Sequence, residues 1–212
     1  MRKDRIGLLP LYLELYDEVS PEKKPLIERI YSATADALRG QGLDVVTVPL
    51  CRLEPEFARA VRRFEKLEVD AIVTLHLAYS PSLESADVLA RTKLPLIVLD
   101  TTPAYNFGPD QDPAQIMFNH GIHGVQDMCN LLLRNKKCFQ IEAGHWQKSD
   151  VLKRVAGRVK SARMATAMRT ARIGRIGRPF AGMGDFAVPA ATLKHTTGVE
   201  TVVGGPSVMR KL

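Results

Sequence analysis

Two short segments combine histidines with glycines in a pattern typical of a binding site for a small polar molecule. The first, Asn119-His120-Gly121-Ile122-His123-Gly124, lies between the apolar run Leu96–Leu99 and a helix-like segment. The second, Gly144-His145-Trp146-Gln147, ends the apolar run Cys138–Ala143. Glycines let a backbone adopt positive φ and come close to a ligand, and loops after strands carry function in α/β proteins. These residues therefore predict a ligand site at two strand–helix junctions.

Each motif also has an alternative interpretation. The spacing His120-x-x-His123 allows two imidazoles to reach one metal ion from a helix face. Two histidines alone do not complete a metal site, so contact with solvent, a neighbour or a ligand is the favoured interpretation. His145-Trp146 fits equally well with simple packing of an indole at a strand end.

Composition narrows the class of protein. The chain has 212 residues, 45% of them hydrophobic and 25% charged, as in ordinary globular proteins. It contains no run near the roughly 20 apolar residues of a membrane helix, and no nucleotide-binding glycine fingerprint, P-loop or nucleophile elbow. The three cysteines, an odd number with wide spacing, are expected to be buried hydrophobes. The start of the chain resembles no signal peptide, so we expect a cytoplasmic protein.

Strand and helix signals alternate through the first two thirds of the chain. Short apolar runs predict strands, and segments with helical spacing lie between them, from the Ser20-Pro21 helix start onward. This alternation predicts a doubly wound, mostly parallel α/β sheet with flanking helices over residues 1–146, a Rossmann-like domain. The predicted strands are Arg5–Leu9, Val45–Val48, Asp70–Leu75, Leu96–Leu99 and Cys138–Ala143.

In such a sheet the ligand binds outside the carboxyl ends of the strands. The loops expected there collect polar and aromatic residues, which would form a rim suited to a hydroxylated ligand. These rim residues are Tyr12, Tyr16, His76, Tyr79, Ser80, Asp100, Tyr105, Asn106 and His145.

The pattern changes after His145. Residues 147–171 predict one long basic connector helix, whose apolar stripe Val151, Val155 and Val159 is a candidate subunit contact. Residues 172–212 predict the start of a second, incomplete α/β domain. The segment 148–178 holds ten basic residues and one acidic residue, but it lacks aromatic residues that could stack on single strands. We therefore expect a solvated or subunit-facing surface, and no specific nucleic-acid binding.

At these motifs the sequence resembles a known family. The stretch Phe118–Trp146, with its helix, strand and Gly-His-Trp ending, is similar to the N-terminal domain of bacterial L-arabinose isomerases. Leu11-Tyr12, His76 through Ser80-Pro81, and Pro95–Thr102 follow in the matching order. Ile176–Val188, with Gly-Met-Gly-Asp-Phe, resembles the start of the second domain in the wider L-arabinose/L-fucose isomerase group.

The resemblance implies a role in sugar binding for five positions. In arabinose isomerases the site lies between subunits and is lined partly by the N-terminal domain of a neighbour. On this basis the substrate-binding residues are His123, His120, Tyr79, Leu11 and Met183. His120 stands where arabinose isomerases usually carry glutamine. Leu9 or Pro10 replaces the usual polar pair, which argues against arabinose itself as the sugar.

The family's aldose–ketose isomerisation resembles chemistry assisted by a divalent, manganese-type cation held by glutamates and histidines. Those ligands belong to a later part of the family chain, which would follow Leu212. The resemblance therefore implies a homo-oligomeric isomerase to which this chain contributes substrate-lining residues and subunit contacts, but no catalytic residue and no metal site of its own. A fragment, a truncated product and a stand-alone protein are all compatible with it. The second hypothesis is a non-catalytic small-ligand or protein-interaction domain on the same scaffold.

Overall fold

The computed structural model describes residues 2–177, 180, 182, 184 and 188–204. Contacts divide the chain into two compact units, Met1–Lys160 and Ser161–Leu212. The first unit carries a five-stranded sheet with its helices, and the second carries a two-stranded sheet. The predicted α/β class is therefore confirmed.

Strands and helices alternate along the first unit. Its strands are β1 (Arg5–Leu11), β2 (Asp44–Thr47), β3 (Ala71–His76), β4 (Leu96–Asp100) and β5 (Phe139–Ala143). Its helices are α1 (Leu15–Val19), α2 (Lys24–Gly40), α3 (Glu54–Lys66), α4 (Leu83–Arg91), α5 (Ile116–Asn119) and α6 (Gly121–Arg134). Short 3₁₀ turns at Pro21–Lys23 and Pro113–Gln115 precede α2 and α5. The next helix, α7 (Val151–Thr170), begins in the first unit and ends in the sequence of the second.

All five strands are parallel and lie in the order β2-β1-β3-β4-β5. The chain passes from β1 outward to β2 and then returns to the other side of β1 to form β3. This reversal makes the crevice between β1 and β3 the topological switch point, where ligands bind in doubly wound sheets. At the carboxyl edge Leu11 of β1 lies opposite His76 of β3.

The central strands are buried because helices cover the sheet. Every residue of β3 is buried, as are all residues of β1 except Arg5. Helices α3, α4 and α6 supply large apolar side chains such as Phe57, Phe64 and Leu132 to the core. Helix α2 is tied to the sheet through the Tyr31 hydroxyl, which donates to the Leu8 carbonyl at 3.1 Å.

The edge strand β5 is bound to the first half of α7. The Glu142 side chain is buried and accepts hydrogen bonds from Nε of Arg154 and Nε of Arg158, each at 2.7 Å. These hydrogen bonds, from Arg158 and then Arg154, hold the pKa of Glu142 below its usual range. Arg154 also donates to the Ala143 carbonyl at 2.7 Å. The start of α7 is therefore part of the first unit and not a free connector.

The apolar stripe of α7 is covered within the chain. Val151, Val155 and Val159 are each fully buried, and Leu152 is almost so. The expectation that a second subunit covers this stripe is therefore wrong. The many charged residues of α7 lie on its exposed face, and in the sequence they gave no indication that the opposite face is buried.

The second unit contains β6 (Arg172–Ile176), α8 (Ala190–Thr197) and β7 (Glu200–Gly204). The two strands pair in parallel, with Ile173 opposite Thr201. Helix α8 ends at Thr197 and is followed by Gly198, whose φ of +84° is one that glycine adopts easily. Every residue of β6 is exposed. The predicted start of a second α/β unit is present, whereas Met183 and Asp185 of the Gly-Met-Gly-Asp segment lie outside the described residues.

Two expectations from composition can be compared with the structure. Cys51 and Cys129 are buried as expected, but Cys138 is exposed. Burial raises the pKa of the Cys51 thiol to about 12 and that of Cys129 to about 11, so both are poor nucleophiles. Within the part of the chain that the structure describes, no helix has the length and apolar character needed to cross a membrane.

Candidate functional site

Three ring side chains meet beside the crevice between β1 and β3. Tyr16 comes from α1, Tyr79 from the loop after β3, and His120 from the junction between α5 and α6. The Tyr16 hydroxyl lies 3.3 Å from Nε2 of His120. The Tyr79 ring is parallel to the His120 imidazole, with 6.3 Å between the ring centroids and 2° between the planes. The fold thus brings His120 and Tyr79, both predicted from the sequence, together at the switch point.

Hydrogen bonds at both nitrogens hold the His120 ring. Nδ1 lies 2.7 Å from the Ile116 carbonyl oxygen, and because a carbonyl oxygen only accepts, Nδ1 is the donor. In the neutral imidazole Nε2 then accepts from the Tyr16 hydroxyl. Burial raises the pKa of Tyr16, which keeps this hydroxyl protonated and able to donate. His120 is therefore fixed in position by α5 and by α1.

His123 has one nitrogen bound and the other open. Its Nδ1 lies 3.2 Å from the His120 carbonyl oxygen and donates to it. Its Nε2 has no hydrogen-bond partner among residues 2–177, and the side chain is exposed. The His120 and His123 rings are 5.9 Å apart between centroids. In the neutral form, Nε2 of His123 is an acceptor available to a ligand hydroxyl.

A groove of about 340 Å³ runs past both histidines. Its walls carry exposed apolar and aromatic side chains, including Tyr105, Phe107 and Ile116. Among the residues that the structure describes, the lining includes no Lys, Arg, Asp or Glu, and it consists of Thr102, Ala104, Tyr105, Phe107, Ile116, Asn119, His120, Ile122 and His123. A groove of this kind suits an uncharged ligand that has hydroxyl groups and an apolar face.

The glycines of the first motif serve helix packing. Gly121 and Gly124 lie inside α6, and neither has a positive φ. A Cβ on Gly121 would lie 3.0 Å from the His76 carbonyl oxygen, and one on Gly124 would lie 2.8 Å from the His76 ring. The two glycines therefore let α6 lie directly on the carboxyl end of β3. The expectation that they approach a ligand is corrected accordingly.

Asn119 also has a structural role. Its side-chain oxygen accepts from the Ala104 amide at 2.9 Å, and its side-chain nitrogen donates to the Gln115 carbonyl at 2.9 Å. These two hydrogen bonds join the loop after β4 to α5. They fix two walls of the groove relative to each other.

The second motif closes on itself. Nδ1 of His145 accepts from the amides of Gln147 and Lys148, each at 3.1 Å, which leaves Nε2 to donate to the Pro103 carbonyl at 3.2 Å. The Trp146 amide donates to Oγ1 of Thr101 at 3.0 Å. His145 is therefore a structural histidine that supports the loop behind the groove. Its imidazole also contacts the Tyr105 ring edge to face at 5.5 Å.

Several residues predicted at the rim lie inside the protein. Leu11, Tyr12, His76 and Ser80 are all buried, and Leu11 belongs to the hydrophobic core. Leu11 faces the core because it is a residue of β1 and not of the loop after it. The structure therefore corrects its expected contact with sugar. Met183, the remaining predicted site residue, lies outside the described residues.

The ionisable groups near this edge do not form a metal site. Within the described part of the chain no three His, Cys, Asp or Glu side chains converge so that they could hold a metal ion. Asp17 pairs with Arg52 at 2.6 Å, and Glu142 is bound by two arginines. Burial raises the pKa of Asp100 and lowers the pKa of His76 to about 3. His120 and His123 thus do not fit a divalent cation by themselves.

Sequence reasoning missed part of the groove. Ile116, His120 and His123 follow one another at i, i+4 and i+7, the spacing of one helical face. That spacing could have placed Ile116 beside the two histidines, although the chain breaks the helix at His120. Phe107 gave no such signal because it lies in a loop whose path depends on Asn119.

Comparison with known proteins gives no match at the level of sequence. No model of a known protein family matches this chain, and no curated protein does.

Proposed function

We propose that this chain is the N-terminal portion of a cytoplasmic sugar isomerase related to the L-arabinose/L-fucose isomerases. It contributes residues that line the substrate and residues that contact a neighbouring subunit. The metal-binding catalytic part of such an enzyme lies elsewhere. The observation that carries the proposal is the groove at His120 and His123, next to the switch point of a doubly wound sheet, whose described lining has no Lys, Arg, Asp or Glu.

The lining of the groove supports a neutral sugar as its ligand. Free sugars offer hydroxyl groups on one side and C–H groups on the other, and aromatic rings pack against the C–H side. Nε2 of His123 would accept a hydrogen bond from a sugar hydroxyl, and the Tyr105 ring, 65% exposed, offers a flat apolar surface. A phosphorylated sugar would need a cation, and no lysine or arginine lines the groove in the described part of the chain.

Exposed apolar side chains around the groove support a contact with another subunit. Phe107, Ile116 and Ile122 are all exposed, and they line the same groove as His123. Exposed apolar surface of this kind often marks a protein contact. In the proposed enzyme a neighbouring subunit covers these exposed side chains and completes the site.

Ligand-observed NMR with L-arabinose, L-fucose and a pentose 5-phosphate tests the binding proposal. We expect the free sugars to bind and the phosphate ester to bind no better. His123→Ala should weaken binding about tenfold, the loss of a hydrogen bond of roughly 1.4 kcal/mol. His195→Ala removes an exposed imidazole from the second unit and should have no effect. Equal binding by His123→Ala and the wild type would contradict the proposal.

An activity assay tests the assignment of chemistry to another part of the enzyme. The isolated chain, incubated with L-arabinose or L-fucose and manganese, should form no ketose. Ketose formation that disappears in His123→Ala would show that the catalytic groups are present in this chain.

The alternative function is that of a non-catalytic domain that binds a small ligand or a protein through the same groove and its exposed apolar side chains. The exposed Phe107 and Ile116 favour it as much as they favour a subunit contact. Light scattering on Phe107→Asp/Ile116→Asp separates the two. A fall in oligomeric mass favours the isomerase subunit, and an unchanged monomer that still binds sugar favours the stand-alone domain.

A further inference from the structure

The loop between β3 and α4, residues 77–82, has an unusual backbone. Ala78 is buried and has a φ of +93°, a backbone conformation that residues other than glycine rarely adopt. Its neighbour Tyr79 carries the ring that lies parallel to His120. Backbone strain of this kind persists only where surrounding contacts determine the conformation.

Hydrogen bonds fix the loop at both ends. The Leu77 amide donates to the Leu11 carbonyl at 2.9 Å, which ties the start of the loop to β1. The Ser82 hydroxyl donates to Oδ2 of Asp127 at 2.6 Å, which ties its end to α6. The loop is therefore held by the two elements on either side of it.

Helix α6 also packs against the middle of the loop. A Cβ on Gly121 would lie 3.5 Å from the Ala78 carbonyl oxygen. A Cβ on Gly124 would lie 3.0 Å from the Ser80 hydroxyl, 3.1 Å from the Ser80 carbonyl and 2.8 Å from the His76 ring. The glycine face of α6 thus fits the strained loop with no room for a methyl group at Gly124. His120 lies immediately before α6.

We propose that Gly124 is a positioning residue that sets the Tyr79 ring against His120. Contacts with β1 and α6 hold the loop at Ala78 in a conformation that alanine itself disfavours. Because Gly124 has no side chain, α6 packs directly against Ser80, the residue after Tyr79. Gly124 does not line the groove. As a statement about ligand binding the inference rests on the proposed function, whereas the ring arrangement is measured without any ligand.

The first experiment adds a methyl group to the glycine face. NMR of the full chain with labelled tyrosine and histidine should show an NOE between the Tyr79 and His120 rings, whose centroids are 6.3 Å apart. Gly124→Ala should lose this NOE, because the new methyl displaces α6 or the loop. Gly40→Ala is the matched control, since a Cβ at that glycine, the last residue of α2, meets no atom of the described residues within 4 Å. A folded Gly124→Ala that keeps the NOE would overturn the role of Gly124.

The second experiment adds no atoms and so does not depend on tolerance of the methyl group. Ala78→Gly relieves the strain at φ +93°, because glycine adopts a positive φ easily. Since contacts with β1 and α6 set the loop, the NOE between Tyr79 and His120 should persist in this variant. Loss of the NOE in a folded Ala78→Gly would show that the Ala78 side chain sets the ring pair, and it would overturn the proposal. If Gly124→Ala loses the NOE but no sugar binds to the wild-type chain, the positioning inference holds and the proposed function fails.

Discussion

His123 and His145 belong to glycine-rich motifs at the same edge of one sheet, yet their ring nitrogens have different partners. Both nitrogens of His145 are bound to backbone groups of the second motif and of the loop after β4. His123 binds a backbone carbonyl through Nδ1 and leaves Nε2 open at the groove. The same residue types thus build a support in one motif and a ligand-facing group in the other.

His120 and His76 extend this comparison. His120 is fixed at both nitrogens but lies at the groove, where its ring stacks with Tyr79. His76 is buried under α6, against Gly124. The function of a histidine in this fold therefore depends on its burial and on which of its nitrogens the fold already uses, and the predictions for His76, His145 and His123 test that statement.

The largest expected effect concerns His76 and pH. Burial lowers the pKa of His76 to about 3, whereas an unfolded histidine titrates near 6.5. Between these pH values the unfolded chain binds a proton at His76 that the folded chain does not. The folded state is therefore favoured most above pH 6.5, and this advantage is lost as pH falls towards 3. We expect the free energy of unfolding to fall by on the order of 4 kcal/mol over this window.

Urea unfolding at a series of pH values measures this dependence. His76→Gln should show a much smaller loss between neutral and acid pH, and the exposed-residue control His195→Gln should behave as the wild type does. Identical pH profiles for His76→Gln and the wild type would mean that other groups cause the acid sensitivity.

The next largest expected effect distinguishes His145 of the second motif from His123 of the first by their contributions to stability. His145→Ala removes three hydrogen bonds to backbone groups and should lower the free energy of unfolding by roughly 2 kcal/mol. His123→Ala removes one hydrogen bond from an exposed side chain and should change it by less than about 0.5 kcal/mol. Chemical unfolding of both variants at neutral pH decides the matter. An equal loss of the free energy of unfolding in the two variants would contradict the distinction between His145 as a structural residue and His123 as a ligand-facing residue.

Much of the fold follows from local sequence, and one exception is instructive. Short apolar runs place all five strands of the main sheet correctly. The predicted end of β1 at Leu9 is wrong, because Pro10 continues the strand to Leu11. A proline lacks the N–H but keeps its carbonyl, and the Pro10 carbonyl accepts from the Cys51 amide at 3.1 Å. The residues counted as loop, Leu11 and Tyr12, are therefore buried.

The site depends more on contacts between distant residues. Spacing and the family resemblance point to His120, His123 and Tyr79, which the fold places together. The hydrogen bond from Tyr16 to His120 joins residues 104 positions apart, so no local pattern could predict it. The packing role of Gly121 and Gly124 likewise depends on how α6 crosses β3.

A smaller effect on stability concerns the hydrogen bonds between Glu142 of β5 and two arginines of α7. Glu142 accepts from Arg154 and Arg158, but both arginines are partly exposed, so solvent screens the interaction. Glu142→Gln should therefore cost only about 1 kcal/mol at neutral pH. Because the folded pKa of Glu142 is lowered, the difference from the wild type should shrink as pH falls below about 4. A difference that persists at acid pH would assign it to packing.

The smallest expected effect concerns the basic segment 148–178 and nucleic acid. Arg154 and Arg158 already pair with Glu142, which leaves fewer cations for phosphate contacts. Duplex DNA should therefore bind weakly, with a dissociation constant on the order of 10⁻⁵ M, and two unrelated duplexes should bind alike. Fluorescence anisotropy at about 50 and about 200 mM salt should show a steep fall in affinity, because phosphate contacts release counterions. Glu142→Gln frees Arg158, while Arg154 keeps its ion pair with Asp150, and should strengthen binding slightly, whereas Lys153→Gln/Lys160→Gln should weaken it. Tight binding of one sequence at physiological salt would require side chains that read base edges, and it would show that the basic face has a function that the open histidine at the groove does not explain.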